Sequence, residues 1–343
     1  MTTHARRVLA VLVAVAAIAV TGPPAAHAAA PVPINDLGNG TYLGFPGGLY
    51  PAGRNTMPAA HHTVGVERAL RVRPLDTAGR PSATGKYVLL SIGMSNTTQE
   101  FCGGASGGTC APYSFVGQAA ADPQVDHDRL AIVDGASGGQ TAGTWDAPTD
   151  PNYDRVRDTR LAPLGLTERQ VQVVWVKVAN ANPTVSLPDP NADAYQLVTQ
   201  QGDILRTVKK RYPNVQQVFF SSRIYGGYAT TTLNPEPYAY ETGFGVKWVI
   251  QAQINQMSGG GINPRAGDLD HTGTVAWAAW GPYLWANGLQ PRSDGLTWAR
   301  SDFVTDGTHP STSGRQKVGS LLLRFFKTSP HTACWFTVSG TCG

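Results

Sequence analysis

The chain is expected to fold as an α/β protein around a doubly wound, mostly parallel sheet, and three observations predict it. Short, continuously apolar runs of strand length recur along the sequence. Amphipathic stretches with helical period lie between or after them. The 39 Gly and 25 Pro among 343 residues, with only 15% charged, argue against a long helical bundle and for a loop-rich fold. With 41% hydrophobic residues, 10 Phe, 12 Tyr and 8 Trp, the chain can build a sizeable core, which excludes a disordered protein.

Residues 1–28 read as a secretory signal peptide and not as part of the fold. Arg6 and Arg7 precede an apolar run from Val8 to Val20, followed by Gly22, Pro23 and Pro24 and an A-x-A pattern at Ala26-His27-Ala28. The run is too short to span a membrane, and no later run is long and apolar enough to do so. Cleavage near Ala28 would remove two Arg and no acid, lowering the formal charge from +4 to +2. A charge so near zero leaves no electrostatic footprint for nucleic acid.

Residues 29–85 read as an N-terminal loop and strand extension. The alternation of Val64 and Val66, then Leu70 and Val72, suggests a strand within 63–75, and a turn-rich stretch follows at 76–85. From residue 86 to 343 the strand–helix alternation continues without a repeat or a Ser/Pro linker, so one domain is expected. Its strands are placed at 87–92, 130–133, 171–178 and 215–220. Helices are placed at 193–211, stopped by Pro213, at 240–257, ending at Gly259-Gly260-Gly261, and at 312–327.

Four cysteines, Cys102, Cys110, Cys334 and Cys342, fit an exported protein. Three pairings are possible, and the simplest joins the neighbours Cys102–Cys110 and Cys334–Cys342. The spacing is not that of a zinc site.

In a doubly wound sheet, ligands bind beyond the carboxyl ends of the strands. There the first buried strand runs into Gly93-Met94-Ser95-Asn96-Thr97, which presents a hydroxyl or a helix N-cap. The second ends in Asp134-Gly135-Ala136-Ser137-Gly138-Gly139, a turn whose N–H groups can face an anion. The third ends in Asn180-Ala181-Asn182-Pro183, an amide donor or an Asx turn. Near the C-terminus, Asp306-Gly307-Thr308-His309-Pro310 sets a carboxylate three residues before an imidazole that it can orient.

Taken in order, these four blocks resemble the SGNH (GDSL-type) hydrolase superfamily, from Gly93 to Pro310. The resemblance implies a three-layer α/β/α sandwich of the flavodoxin-like kind and a serine esterase that needs no metal or organic cofactor. It makes Ser95 the nucleophile, His309 the general base and Asp306 its orienting partner. Ser95 and Gly139 would supply backbone N–H groups to the oxyanion, and Asn180 a side-chain amide, with Asn182 as the alternate. Met94 stands where the superfamily usually has an acid, and Asn180 and Asn182 compete for the third block.

The substrate expected is an ester, most simply an acylated polysaccharide or oligosaccharide cleaved by a secreted monomer without a membrane anchor. A secreted lipase or small-ester hydrolase is the runner-up, and a non-catalytic carbohydrate-binding protein on a hydrolase scaffold is a third reading. Asn96, Glu100, Arg223, Tyr225, Trp280 and Trp285 are candidates to line the pocket. The cluster of Trp277, Trp280, Tyr283, Trp285 and Trp298 offers rings for sugars or for the core. Asp268, Asp270 and His271 read as a surface turn between Gly267 and Gly273 rather than a metal site. Residues 189–193 lack the glycine and terminal Glu of a calcium loop and read as a helix cap.

Overall fold

The computed structural model describes Thr2, residues 31–104 and residues 109–343. The expected signal peptide lies outside the described residues. After a short helix α1 (Ile34–Leu37), a two-stranded antiparallel ribbon pairs β1 (Thr41–Tyr42) with β2 (Phe45–Pro46), and α2 (Ala59–Ala69) follows. The main sheet begins at β3 (Tyr87–Gly93), which leads into α3 (Ser95–Phe101) and α4 (Phe115–Ala121). Then come β4 (Leu130–Asp134), α5 (Pro151–Val156), β5 (Val171–Lys177), α6 (Asp193–Arg211), β6 (Gln217–Phe220) and α7 (Tyr238–Met257). The chain closes with β7 (Trp277–Trp280), α8 (Thr312–Thr328) and α9 (Ala333–Phe336).

All four pairings of the main sheet are parallel, in the order β4-β3-β5-β6-β7. Relative to the chain this is the 2-1-3-4-5 order of doubly wound sheets, with the direction of winding reversing between β3 and β5. Side chains alternate across it. Val174, Val176, Val218 and Phe220 meet residues of α5, α6 and α7 on one face. Val173, Trp175 and Phe219 meet Phe115, Val318, Leu322 and Phe326, from α4 and α8, on the other. The result is the three-layer α/β/α sandwich expected from the sequence.

The four strands expected between residues 86 and 343 and the three long helices form within a few residues of their predicted bounds. Leu197, Ile204, Leu205, Val208 and Tyr212 are all buried, as the period of α6 requires. Both neighbouring disulfides, Cys102–Cys110 and Cys334–Cys342, are present.

The strand expected within 63–75 is instead the end of helix α2 and a following loop. Its buried stripe is His61, Gly65 and Ala69, four residues apart, while Leu70 is exposed. A Cβ at Gly65 would sit 2.3 Å from the Trp277 ring, so α2 packs on the sheet through its smallest residue. A stripe made of His, Gly and Ala carries almost no apolar period, and the neighbouring valines imitated a strand.

Candidate active site

Beyond Gly93, Met94 is extended (φ −104°, ψ −166°) and α3 starts at Ser95. The Ser95 hydroxyl therefore stands over the strand ends, and its N–H is among the first-turn donors without an intrahelical acceptor. Three bonds pin α3 beneath it. Thr97 Oγ1 donates to the carbonyl of Lys177 at 2.6 Å, and Thr98 Oγ1 to Asp134 Oδ2 at 2.5 Å. The Lys177 ammonium pairs with the Glu100 carboxylate, both side chains being fully buried. Burial pushes the Glu100 carboxyl up and the Lys177 ammonium down, each opposed by the charge of the other. Helix α3, which carries Ser95, is thus tied to the ends of both strands flanking β3.

His309 lies on the loop before α8. Its Nε2 is 2.8 Å from Ser95 Oγ, and its Nδ1 is 2.5 Å from Asp306 Oδ2. With the Nδ1 proton donated to the carboxylate, Nε2 is left to accept the serine proton. Asp306 Oδ1 also accepts the backbone N–H groups of Thr308 and His309, each at 2.9 Å. Burial raises the Asp306 pKa, but these three bonds and the nearby imidazole outweigh it, and the net shift is downward. Gly307 makes the turn possible: its φ is +64°, and a Cβ there would lie 1.8 Å from the Tyr228 carbonyl oxygen. Asn96 donates to the Thr308 carbonyl at 3.0 Å, so the residue after Ser95 holds the loop that carries His309.

The opposite side of Ser95 faces the turn after β4. Ser91 Oγ donates to Asp134 Oδ1 at 2.6 Å and accepts the N–H of Gly135, which shapes this turn from below. A Cβ built on Gly138 would lie 3.9 Å from Ser95 Cβ, whereas one on Gly139 meets nothing within 4 Å. The Cα–Cβ direction at Gly138 therefore points towards Ser95, and that at Gly139 into open space. Neither glycine donates its N–H to another described residue.

Asn180, after β5, is half-buried, and its Nδ2 donates to Asp193 Oδ1 at 3.0 Å and to Gln200 Oε1 at 2.9 Å. Both amide protons are thereby committed to α6. Asn182 is exposed in the left-handed region (φ +55°) and accepts a hydrogen bond from Thr232. Asn180 and Asn182 border a groove of about 520 Å³ whose other walls include Thr141, Thr144, Thr184 and Gln196. Hydroxyl and amide side chains dominate this surface.

Five of the six residues expected to line the pocket do not. Asn96, Glu100 and Arg223 are at most 1% exposed, and Trp280 and Trp285 belong to the core. The Trp280 indole donates to the Leu49 carbonyl and that of Trp285 to Glu236, so both rings hold the sandwich together. Trp277, Tyr283 and Trp298 are buried as well, which removes the aromatic cluster as a sugar platform. Only Tyr225 keeps partial exposure, packed edge-on against Tyr228. Residues 189–193 lead into α6, but the expected cap does not form: Ala192 holds the N-cap position without a side-chain bond, and Asp193, the first helical residue, accepts from Asn180 instead.

No family model matches the sequence, and no curated protein matches it. Among solved structures, the chain is similar to a salicylyl-acyltransferase from a tetracycline biosynthetic pathway (12% identity, TM-score 0.36). That match covers 72% of this chain, which spans only 55% of the acyltransferase. It is also similar to an extracellular lipase from Streptomyces rimosus (14% identity, TM-score 0.32), covering 69% of this chain and 98% of the lipase. A family two carbohydrate esterase from Cellvibrio japonicus matches at 12% identity and TM-score 0.36, over 72% of this chain and 62% of the esterase.

Proposed function

We propose that this chain is a secreted serine esterase of the SGNH (GDSL-type) superfamily, acting on short acyl esters of carbohydrates. The observation that carries the chemistry is the relay of Ser95 Oγ, His309 and Asp306, with contacts of 2.8 and 2.5 Å. In it, His309 Nε2 takes the hydroxyl proton as Ser95 Oγ attacks the ester carbonyl. The tetrahedral oxyanion faces the N–H groups of Ser95 and of the Gly138–Gly139 turn. Asn180 joins them once one of its two protons is released from α6. Each such donor is typically worth about 3 kcal/mol of barrier. His309 then gives its proton to the departing alcohol, and water deacylates Ser95 by the reverse path.

Carbohydrate is favoured over lipid by the groove at Asn180, whose hydroxyl and amide walls suit a polar alcohol and offer little to a long acyl chain. Two disulfides are consistent with an oxidising, extracellular compartment. Among the described residues no helix is long and apolar enough to cross a membrane.

The test is acetate release from a panel of acetylated polysaccharides, run beside p-nitrophenyl esters of increasing acyl length. The expected result is activity on acetyl esters that falls steeply beyond about four acyl carbons. A preference for long chains would replace the carbohydrate reading with a lipase. An organophosphonate probe that fails to label Ser95 would overturn the serine mechanism itself.

A further inference from the structure

Helix α6 has a second face. Asp193, Gln196 and Gln200 line the polar groove, while Tyr195 and Val198 look into a separate cavity of about 450 Å³. That cavity lies between α6, the C-terminal half of α7 and the β1–β2 ribbon, and none of the triad residues lines it. Its wall is an aromatic stack: Trp248 lies parallel to Tyr195 (5.0 Å, 12°), and Phe45 meets Trp248 edge-on at 5.2 Å. The guanidinium of Arg265 lies over the Tyr195 ring, 4.2 Å from its centre.

At one wall sits Lys247, only 4% exposed. Its Nζ donates to the carbonyls of Pro46 and Gly47, at 2.5 and 2.6 Å. An ammonium has three protons, and the third has no partner among the described residues. No carboxylate forms an ion pair with it, and the residues outside the description contain neither Asp nor Glu. Burial without a counter-charge pushes its pKa down to about 8, which leaves it mostly charged at neutral pH. A buried cation is costly unless an anion compensates it. Lys247 lines the cavity, and the same lining holds a second cation, Arg265, and the amide of Asn255.

We propose that this cavity binds a small organic carboxylate with a ring-sized body, the carboxylate paired with Lys247 and the body held against Phe45, Tyr195 and Trp248. Two sources have this chemistry, a uronic acid unit of a glycan and a free aromatic acid. The site is separate from the triad, so it stands or falls independently of the esterase reading.

The experiment is calorimetric titration of the full mature protein with galacturonate and with benzoate, with galactose and benzyl alcohol as neutral counterparts. At least one acid should bind, at least tenfold more tightly than its neutral counterpart. Galacturonate binding would point to a glycan and benzoate binding to an aromatic acid. Lys247→Met should weaken binding at least tenfold. Since that variant also removes two bonds to the ribbon, Asn255→Trp supplies a second test. It adds an indole to the cavity lining from an exposed helix position and should abolish binding while leaving p-nitrophenyl acetate turnover unchanged. Failure of both acids to bind, equal binding of the neutral compounds, or undiminished binding by Asn255→Trp would overturn the proposal.

Discussion

On one side of Ser95 the imidazole of His309 is held at both nitrogens, and its carboxylate partner is saturated by three donors. On the other side Asn180 has given both amide protons to α6, and Gly139 stands in the open. On the proposed mechanism, the base half is formed before substrate arrives, whereas the acceptor half still has to exchange a partner. Electrostatics divide the same way. Asp306 is held below the usual carboxylate range. Asp193, which accepts from Asn180, is pushed up by burial. A proton-transfer relay must have one geometry at all times, because its tautomer decides the direction of transfer. An oxyanion site is used only when charge appears, and it can tolerate a competing acceptor at rest.

The largest effects should come from the finished half. Ser95→Ala removes the nucleophile and should lower kcat on the order of 10⁶-fold, with the unfolding temperature unchanged. Asp306→Asn keeps the shape but presents an amide to Nδ1 and favours the wrong tautomer, for a loss of about 10⁴-fold. Steady-state kinetics beside thermal unfolding checks both. A loss in Asp306→Asn below tenfold would mean that the carboxylate positions a loop rather than a proton.

The base half was legible in the sequence because its parts are local. Asp306 and His309 share one turn, and the strand that delivers Ser95 is a continuous apolar run. The acceptor half was less legible. How the Gly138–Gly139 turn meets Ser95 depends on how the turn after β4 is folded by Ser91 and Asp134, and Ser91 reaches it only through the pairing of β3 with β4. The commitment of Asn180 to Gln200 spans twenty residues and a helix that no local pattern aims. The pocket candidates failed for a different reason. Proximity in sequence to a catalytic block says nothing about which way a side chain points, and Glu100 and Arg223 point inward. The tryptophans belong to the two core clusters, where their rings pack between sheet and helices.

The acceptor half gives intermediate effects that decide between its two amides. Asn180→Ala should lower kcat about 10²-fold with little change in KM, the signature of a donor used only in the transition state. Asn182→Ala should change kcat less than about threefold. The reverse ranking would move the donor to Asn182 and leave Asn180 as a strut between β5 and α6.

The smallest expected effect concerns stability and separates the halves by charge. Glu241, on α7, accepts the N–H of Leu187 in the loop after β5 and the hydroxyl of Tyr42 on β1. Burial raises its folded pKa from 4.5 to about 7. The native state therefore keeps a proton that the unfolded chain has already lost, and stability falls as pH rises through this window. The decline should level off above pH 7, with a total of about 1–3 kcal/mol from this group. Glu241→Gln retains an acceptor oxygen for Leu187 and Tyr42 and cannot ionise, so it should flatten this part of the profile. Urea unfolding at pH 5 and pH 8 reads the difference directly. An equal slope in wild type and variant would place the neutral-pH sensitivity elsewhere, with Asp193 beside Asn180 the next group to replace.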